Sequence, residues 1–158
     1  MEIEKKFLVN KLPENLNDYK CLQIEQGYVL TRPTLRIRRM NDEFILTYKS
    51  PVAHKSNARV NTEIEAPLDE GAFNRLKEKC DGYFIEKERF VIPLSDGHKA
   101  ELDVFKGRYE GLLVVEVEFG SEEEIDDFIK PDWFGEDVSE DYRYTNSYMA
   151  ETGDVSFF

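Results

Sequence analysis

Along most of this chain, apolar and polar residues alternate with a period of two. Segments 2–9, 20–30, 34–40, 43–49, 60–66, 83–92, 99–105 and 112–119 show that alternation or are rich in β-branched and aromatic residues, and are predicted to be strands. Asn41-Asp42 and Asp96-Gly97 have the composition of hairpin turns, and Lys106-Gly107 with Gly111 beyond it marks another break. Three stretches follow a helical period instead. Residues 68–79 place Ala72, Phe73, Leu76 and Cys80 near one face. Residues 121–130 open with Ser121 and Glu122-Glu123-Glu124, a capping box with an acidic first turn, and turn Ile125, Phe128 and Ile129 to one side. Residues 139–150 predict a short helix with Tyr142 and Met149 as its contact residues. Segment 51–59 is polar and aperiodic, and reads as a mobile loop. No repeat or linker divides the chain, so residues 1–158 are read as one domain.

The polar positions of the strands are mostly charged. Successive side chains on a strand point to opposite faces, so residues two apart share a side. Glu2, Glu4 and Lys6 share one, as do Arg36 and Arg38, Thr47 and Lys49, Glu63 and Glu65, Lys87 and Arg89, Glu101 and Asp103, and Glu116 and Glu118. Two architectures satisfy this pattern. A sheet can pack its apolar face on helices and show the charges to water. Alternatively, it can curl into a barrel with the charges inside and the helices outside, and about eight strands leave room for side chains or one small ligand. Charge runs usually mark solvated faces, so the pattern alone favours the open sheet. However, the signs are sorted by strand, which a merely soluble face does not require. Carboxylates and cations on one enclosed surface are also what a metal–triphosphate complex needs: hard oxygen donors for Mg²⁺ or Mn²⁺, and Arg and Lys for phosphate oxygens.

Composition narrows the partners. Charged residues make up 34% of the 158, above the roughly 25% of an average domain, and the net charge is −12. An acidic exterior argues against nucleic acid, while 21 Lys and Arg suffice for a local anion site. Cys21 and Cys80 lack metal-ligand spacing and read as free thiols in a reducing compartment. The opening Met1-Glu2-Ile3-Glu4 is acidic rather than basic then apolar, and no run approaches the ~20 apolar residues of a membrane span. A cytoplasmic protein with no membrane partner is therefore expected. His54 and His98 fall in predicted loops, have no partner evident in the sequence, and read as surface residues. Trp133 is expected to pack the last helix down, and Tyr142, Tyr144 and Tyr148 to cap a barrel end; Arg143 would reach the tunnel mouth or pair on the surface. No G-x-x-x-x-G-K-[ST] occurs, which excludes a P-loop enzyme.

Read in order, these pairs form a series of motifs. Glu2-Ile3-Glu4-Lys5-Lys6 is E-x-E-x-K, followed by Gln26-Gly27-Tyr28, Arg36-Ile37-Arg38 and Leu46-Thr47-Tyr48-Lys49. Then come Glu63-Ile64-Glu65, Lys87-Glu88-Arg89, Asp103-Val104-Phe105-Lys106-Gly107 and Glu116-Val117-Glu118, with Asp137-Val138-Ser139 and Arg143-Tyr144-Thr145-Asn146 near the end. The series resembles the CYTH family, also called the triphosphate tunnel metalloenzymes, over essentially the whole chain.

The resemblance implies an α+β, mainly β fold: an eight-stranded antiparallel closed barrel with helices packed outside. It implies hydrolysis of inorganic triphosphate to diphosphate and phosphate with Mg²⁺ or Mn²⁺. Alternatives within the family are a thiamine or nucleoside triphosphatase or a class IV adenylyl cyclase, and outside enzymes a polyphosphate-binding module. On this reading Glu2, Glu4 and Glu118 hold the main metal with Glu116 close by, while Asp103, Glu63 and Glu65 support a second metal or orient the first shell of ligands. Lys6, Arg36, Arg38, Lys49, Lys87 and Arg89 clamp phosphates. Either a second metal activates the attacking water, or Lys6 and Tyr28 form a base or water-positioning dyad. A homodimer is consistent with the resemblance.

Overall fold

The computed structural model describes residues 1–54 and 56–158. Alternation sets its architecture, because each strand must separate a charged face from an apolar one. The strands in chain order are β1 (Glu2–Val9), β2 (Lys20–Thr31), β3 (Thr34–Met40), β4 (Glu43–Pro51), β5 (Arg59–Leu68), β6 (Asp81–Pro93), β7 (Lys99–Phe105), β8 (Leu113–Glu118) and β9 (Phe134–Asp137). The helices are α1 (Glu70–Lys77), α2 (Glu122–Asp127) and α3 (Asn146–Thr152). The strands pair antiparallel in the order β5-β4-β3-β2-β6-β7-β8-β1, and β1 pairs back to β5 through Glu2↔Asn61 and Glu4↔Arg59. The result is a closed eight-stranded barrel. Closure leaves little free edge, which removes the template for edge-to-edge association.

Beyond Glu4 the same edge of β1 is taken up by β9, with Phe7 opposite Asp137. The sequence pattern does not predict this ninth strand, because Phe134-Gly135-Glu136-Asp137 is too short to show a period. The predicted turns are present. Asn41 joins β3 to β4 at a φ of 54°, and Gly97 joins β6 to β7 at a φ of 93°. Residues 52–54 and 56–58 form the expected loop between β4 and β5; Lys55, also part of that expectation, lies outside the described residues.

Two apolar cores flank the charged interior. The first lies outside the barrel, where Phe7, Phe90, Leu102, Val115 and Val117 pack under Phe128 and Phe134. Here α2 is shorter than predicted. It ends at Asp127 because Phe128 turns extended and drops its ring onto Phe119, with centroids 5.2 Å apart. Trp133, expected to hold down the last helix, instead stacks edge-on against Phe134 in this core. On another part of the outer surface, α1 is capped by Asp69, which accepts from the Ala72 amide, and lays Phe73 on Phe44.

The second core closes one end of the barrel. Tyr28, Ile85, Phe105 and Val114 meet Val138, Tyr144, Met149 and Ala150 of the C-terminal segment. The helix α3 packs over this end, against β2 and β6. It begins later than predicted: 142–144 is a single 3-10 turn, and the helix starts only after the Thr145 side chain caps the Tyr148 amide. Gly82, at a φ of 75°, permits the docking, since a Cβ there would stand 2.1 Å from the Ala150 carbonyl oxygen. Gly153 ends the helix in the left-handed conformation. Among the described residues no helix is long and apolar enough to cross a membrane.

Candidate active site

Strand parity turns the charged pairs inward around a cavity of about 1200 Å³. Glu2, Glu4, Lys6, Tyr28, Arg36, Arg38, Lys49, Glu63, Glu65, Lys87, Arg89, Glu116 and Glu118 all line it. Charged side chains rarely lie buried unless they are paired, so each requires a partner or access to a ligand.

The cations are held in different ways. Arg89 forms a forked pair with Asp103, Nε to Oδ1 at 2.8 Å and Nη2 to Oδ2 at 3.0 Å. Lys87 Nζ lies 2.8 Å from the same carboxylate. Arg38 donates from Nε to Gln26 Oε1 at 2.8 Å. Arg36 donates from Nη2 to Thr47 Oγ1 at 3.2 Å, while its buried Nε has no partner. Lys49 bridges Glu2 at 2.8 Å and Glu63 at 3.5 Å. Lys6 donates to the Tyr144 carbonyl at 2.8 Å and lies 3.6 Å from Glu116.

Two expectations are corrected. Asp103 is fully buried and has no surface on the cavity; Arg89 and Lys87 occupy its oxygens, so it does not stand among the cavity carboxylates. Lys6 and Tyr28 do not bond each other. The Tyr28 hydroxyl accepts from Gln26 Nε2 at 3.1 Å, and the Lys6 ammonium is directed to Tyr144 and Glu116.

Burial and crowding perturb these groups. Burial, and then the neighbouring Glu116, push the Glu4 carboxyl well above its usual range. Burial acts on Glu116 in the same direction, but Lys6 leads the forces that hold it well below. Burial also raises Glu2 and Glu118 and lowers the Lys6 ammonium. Burial brings Lys87 down to about 7 despite the attraction of Asp103. Asp103 resists burial because Arg89 and Lys87 outweigh it, and falls to about 2. Arg38 comes down to about 9 through burial and the nearby Arg36 and Arg89, and stays charged at neutral pH.

Both histidines, part-exposed, meet carboxylates. His54 Nδ1 lies 3.8 Å from Glu122, and His98 Nε2 lies 3.2 Å from Glu124. His98 Nδ1 is also 2.9 Å from Asp96 in an ion contact without hydrogen-bond alignment. Arg143 resolves to a surface pair with Asp141 at 2.6 Å.

The model of the CYTH domain family matches residues 1–151. The chain belongs to the CYTH family. It is 40% identical to an inorganic triphosphatase of Nitrosomonas europaea over 153 residues, 94% of this chain and 96% of that protein. It is 36% identical to an inorganic triphosphatase of Acetivibrio thermocellus over 156 residues, 95% and 93% of the two chains. A solved crystal structure of an inorganic triphosphatase is similar at a TM-score of 0.70 and 38% identity, covering 96% of this chain and 95% of that one.

Further polar residues join these charges in the CYTH tunnel. Gln26 and Thr47 share the inward parity of Tyr28 and Lys49, a signal that was legible. Arg59, opposite Glu4, lines the cavity and donates from Nε to the Ser139 carbonyl at 2.8 Å; its parity with Glu63 was the available signal. Asn146 comes from α3 and no strand period could reveal it. Its Oδ1 accepts from Lys87 at 2.9 Å and from Gln26 at 3.3 Å.

The carboxylates of the CYTH cavity suit a hard divalent cation in their chemistry, being all-oxygen donors. Among the described residues, no three His, Cys, Asp or Glu side chains are already gathered around one point. Glu4 and Glu116 nevertheless lie near enough for each to act on the other's carboxyl, the kind of pair that such a cation relieves.

Proposed function

We propose that this chain hydrolyses inorganic triphosphate to diphosphate and phosphate inside its tunnel. One observation carries the reading. Six cations (Lys6, Arg36, Arg38, Lys49, Lys87 and Arg89) converge on one cavity, and Arg36 keeps a buried donor that has no partner in the protein. A buried unpaired donor is unfavourable by about 1–3 kcal/mol, and a turn of the guanidinium towards the cavity would offer it to a phosphate oxygen. The two curated relatives, both named inorganic triphosphatases over nearly the whole chain, support the same substrate.

In this scheme Arg36 and Arg38 from β3, Lys49 from β4 and Lys87 and Arg89 from β6 bind the phosphate oxygens. Their positive charges, held in place, stabilise charge as the bond to the leaving diphosphate breaks. Glu2, Glu4, Glu116 and Glu118 would hold Mg²⁺ or Mn²⁺, with Glu63 and Glu65 on the facing β5 wall. When bound, the ion would supply charge neutralisation and activation of water. Asp103 serves as the counter-ion that fixes Lys87 and Arg89. Lys6 lies beside Glu116 and orients the attacking water, and Tyr28 orders the tunnel wall through Gln26.

A second reading has one observation in its favour. The cavity of about 1200 Å³ extends to Tyr142 and Tyr148, more room than a bare triphosphate requires, so a thiamine or nucleoside triphosphate is a candidate. Phosphate release from inorganic triphosphate, ATP and thiamine triphosphate, followed with Mg²⁺, Mn²⁺ or a chelator, tests both. Inorganic triphosphate is expected to turn over fastest, with cyclic AMP absent from the ATP reaction. Tight triphosphate binding without any turnover would reduce the protein to a polyphosphate-binding module.

A further inference from the structure

The tunnel's cations are tied to two kinds of acceptor. Arg89 and Lys87 lean on a carboxylate, Asp103. Lys87 and Arg38 also lean on neutral amides, which form a chain of their own. Arg38 Nε donates to Gln26 Oε1 at 2.8 Å, Gln26 Nε2 donates to Asn146 Oδ1 at 3.3 Å, and Lys87 Nζ donates to the same Oδ1 at 2.9 Å. Asn146 is the only one of these four residues that does not come from a barrel strand. It arrives on α3, which Tyr109 anchors by donating its hydroxyl to the Met149 carbonyl.

We infer that Asn146 is a positioning residue that aims Lys87, and through Gln26 also Arg38, at the anion without cancelling their charge. The geometry of the donors is the reason. An ammonium has three N–H groups. Asp103 and Asn146 engage two of those of Lys87, which stops the rotor and leaves one N–H uncommitted in a buried side chain at the cavity wall. A guanidinium held at Nε presents its opposite edge, the two terminal nitrogens, and Arg38 is held in that way. The neutrality of the amides matters equally. A carboxylate at position 146 would accept the same bond from Lys87 and hold it more tightly, but would place a further negative charge against an incoming polyanion. An amide fixes direction and preserves attraction.

This rests on the triphosphate reading, and a comparison of three variants separates the two. Wild type, Asn146→Ala, Asn146→Asp and Gln26→Ala are each melted. Each is then titrated with inorganic triphosphate in chelator by calorimetry, and assayed for KM and kcat with Mg²⁺. Wild-type turnover tests the reading itself; the ratios among variants test the inference, and the chelator titration does so even if the protein only binds. Asn146→Ala is expected to weaken triphosphate binding about tenfold through loss of one bond to a charged group. Asn146→Asp is expected to weaken it further while melting at or above the wild-type temperature, because it pairs with Lys87. Gln26→Ala should weaken binding in the same direction as Asn146→Ala. That opposite movement of stability and affinity is what a structural role would not give. If Asn146→Asp binds triphosphate as well as wild type, the inference is overturned. The same holds if losses in the two Asn146 variants simply follow their melting temperatures, or if Gln26→Ala leaves binding unchanged.

Discussion

Replacing Asp103 by Asn keeps the shape of the side chain and removes one charge from the most enclosed point of the tunnel wall. Asp103 is fully buried, forked to Arg89 and 2.8 Å from Lys87, so the change leaves two buried cations short of their counter-ion. Two routes give the magnitude. Removing one partner of a buried ion pair typically costs about 3–5 kcal/mol. The carboxyl's fall from 3.8 to about 2 measures only the ionised form against the protonated one, and corresponds to about 2 kcal/mol. The second figure is a floor, since a protonated acid can still turn its oxygens to both cations, whereas an amide turns an N–H towards one of them. For a chain of this length, about 2–4 °C of melting temperature accompanies each kcal/mol, so a fall of roughly 6–20 °C is expected near neutral pH. The sign with pH is fixed by the same shift. The folded value is depressed, so the contribution is complete above the unfolded value of 3.8 and is lost as pH falls through about 2. Circular dichroism melts at pH 7, with and without millimolar triphosphate, provide the assay. A melting temperature within 2 °C of wild type would refute the claim that Asp103 neutralises these cations, and a larger fall that triphosphate partly restores would support it.

Three further expectations can be measured separately. Arg36→Met removes a side chain whose Nε has no partner, so the melt should change little while kcat/KM for triphosphate falls by roughly 10–100-fold; an unchanged kcat/KM would contradict it. His98 is held above its usual 6.5 by Asp96 first and then Glu124, so its stabilisation is complete below 6.5 and disappears as pH rises through the raised value. His98→Gln should therefore lower the melting temperature at pH 5.5 and leave it near wild type at pH 9, and equal losses at both would show a packing effect instead. Glu4→Gln removes a donor of the cavity's carboxylate group, and should abolish stimulation of phosphate release by Mg²⁺ or Mn²⁺ while triphosphate still binds in chelator; full stimulation would exclude Glu4 as a ligand.

Much of this fold was legible because a period of two assigns every strand residue to a face. Glu2, Glu4 and Lys6, or Arg36 and Arg38, could be grouped without any structure, and they do share the cavity. Parity does not say whether a face is inside or outside. That depends on twist and on one long-range pairing, Glu2 with Asn61, which no local pattern encodes. The family resemblance resolved this choice, not the pattern. Parity also treats equal charges as equivalent, and so grouped Asp103 with the cavity carboxylates although Arg89 and Lys87 draw it into the wall. Asn146 stood in the closing motif, but its place in the tunnel was not legible there. It enters the tunnel only because Gly82, Met149 and Ala150 let α3 seat in the barrel end, and that is a tertiary fact.

The distribution of charge explains how a chain of net charge −12 can hold a polyanion. Opposite signs are segregated rather than mixed. Strands β3, β4 and β6 contribute the Arg and Lys wall, while β1, β5 and β8 contribute most of the carboxylates. A wall of cations alone would repel itself, as the lowering of Arg38 by Arg36 and Arg89 illustrates. Asp103 and Glu116 offset that repulsion locally, and their own carboxyls are held low in return. Glu4, buried and close to Glu116, moves the other way. A bare triphosphate entering this field is drawn to one wall and repelled by the other. The carboxylate wall becomes favourable only when a cation offsets it, so affinity for the anion and for the cation must rise together, each by the factor it confers on the other.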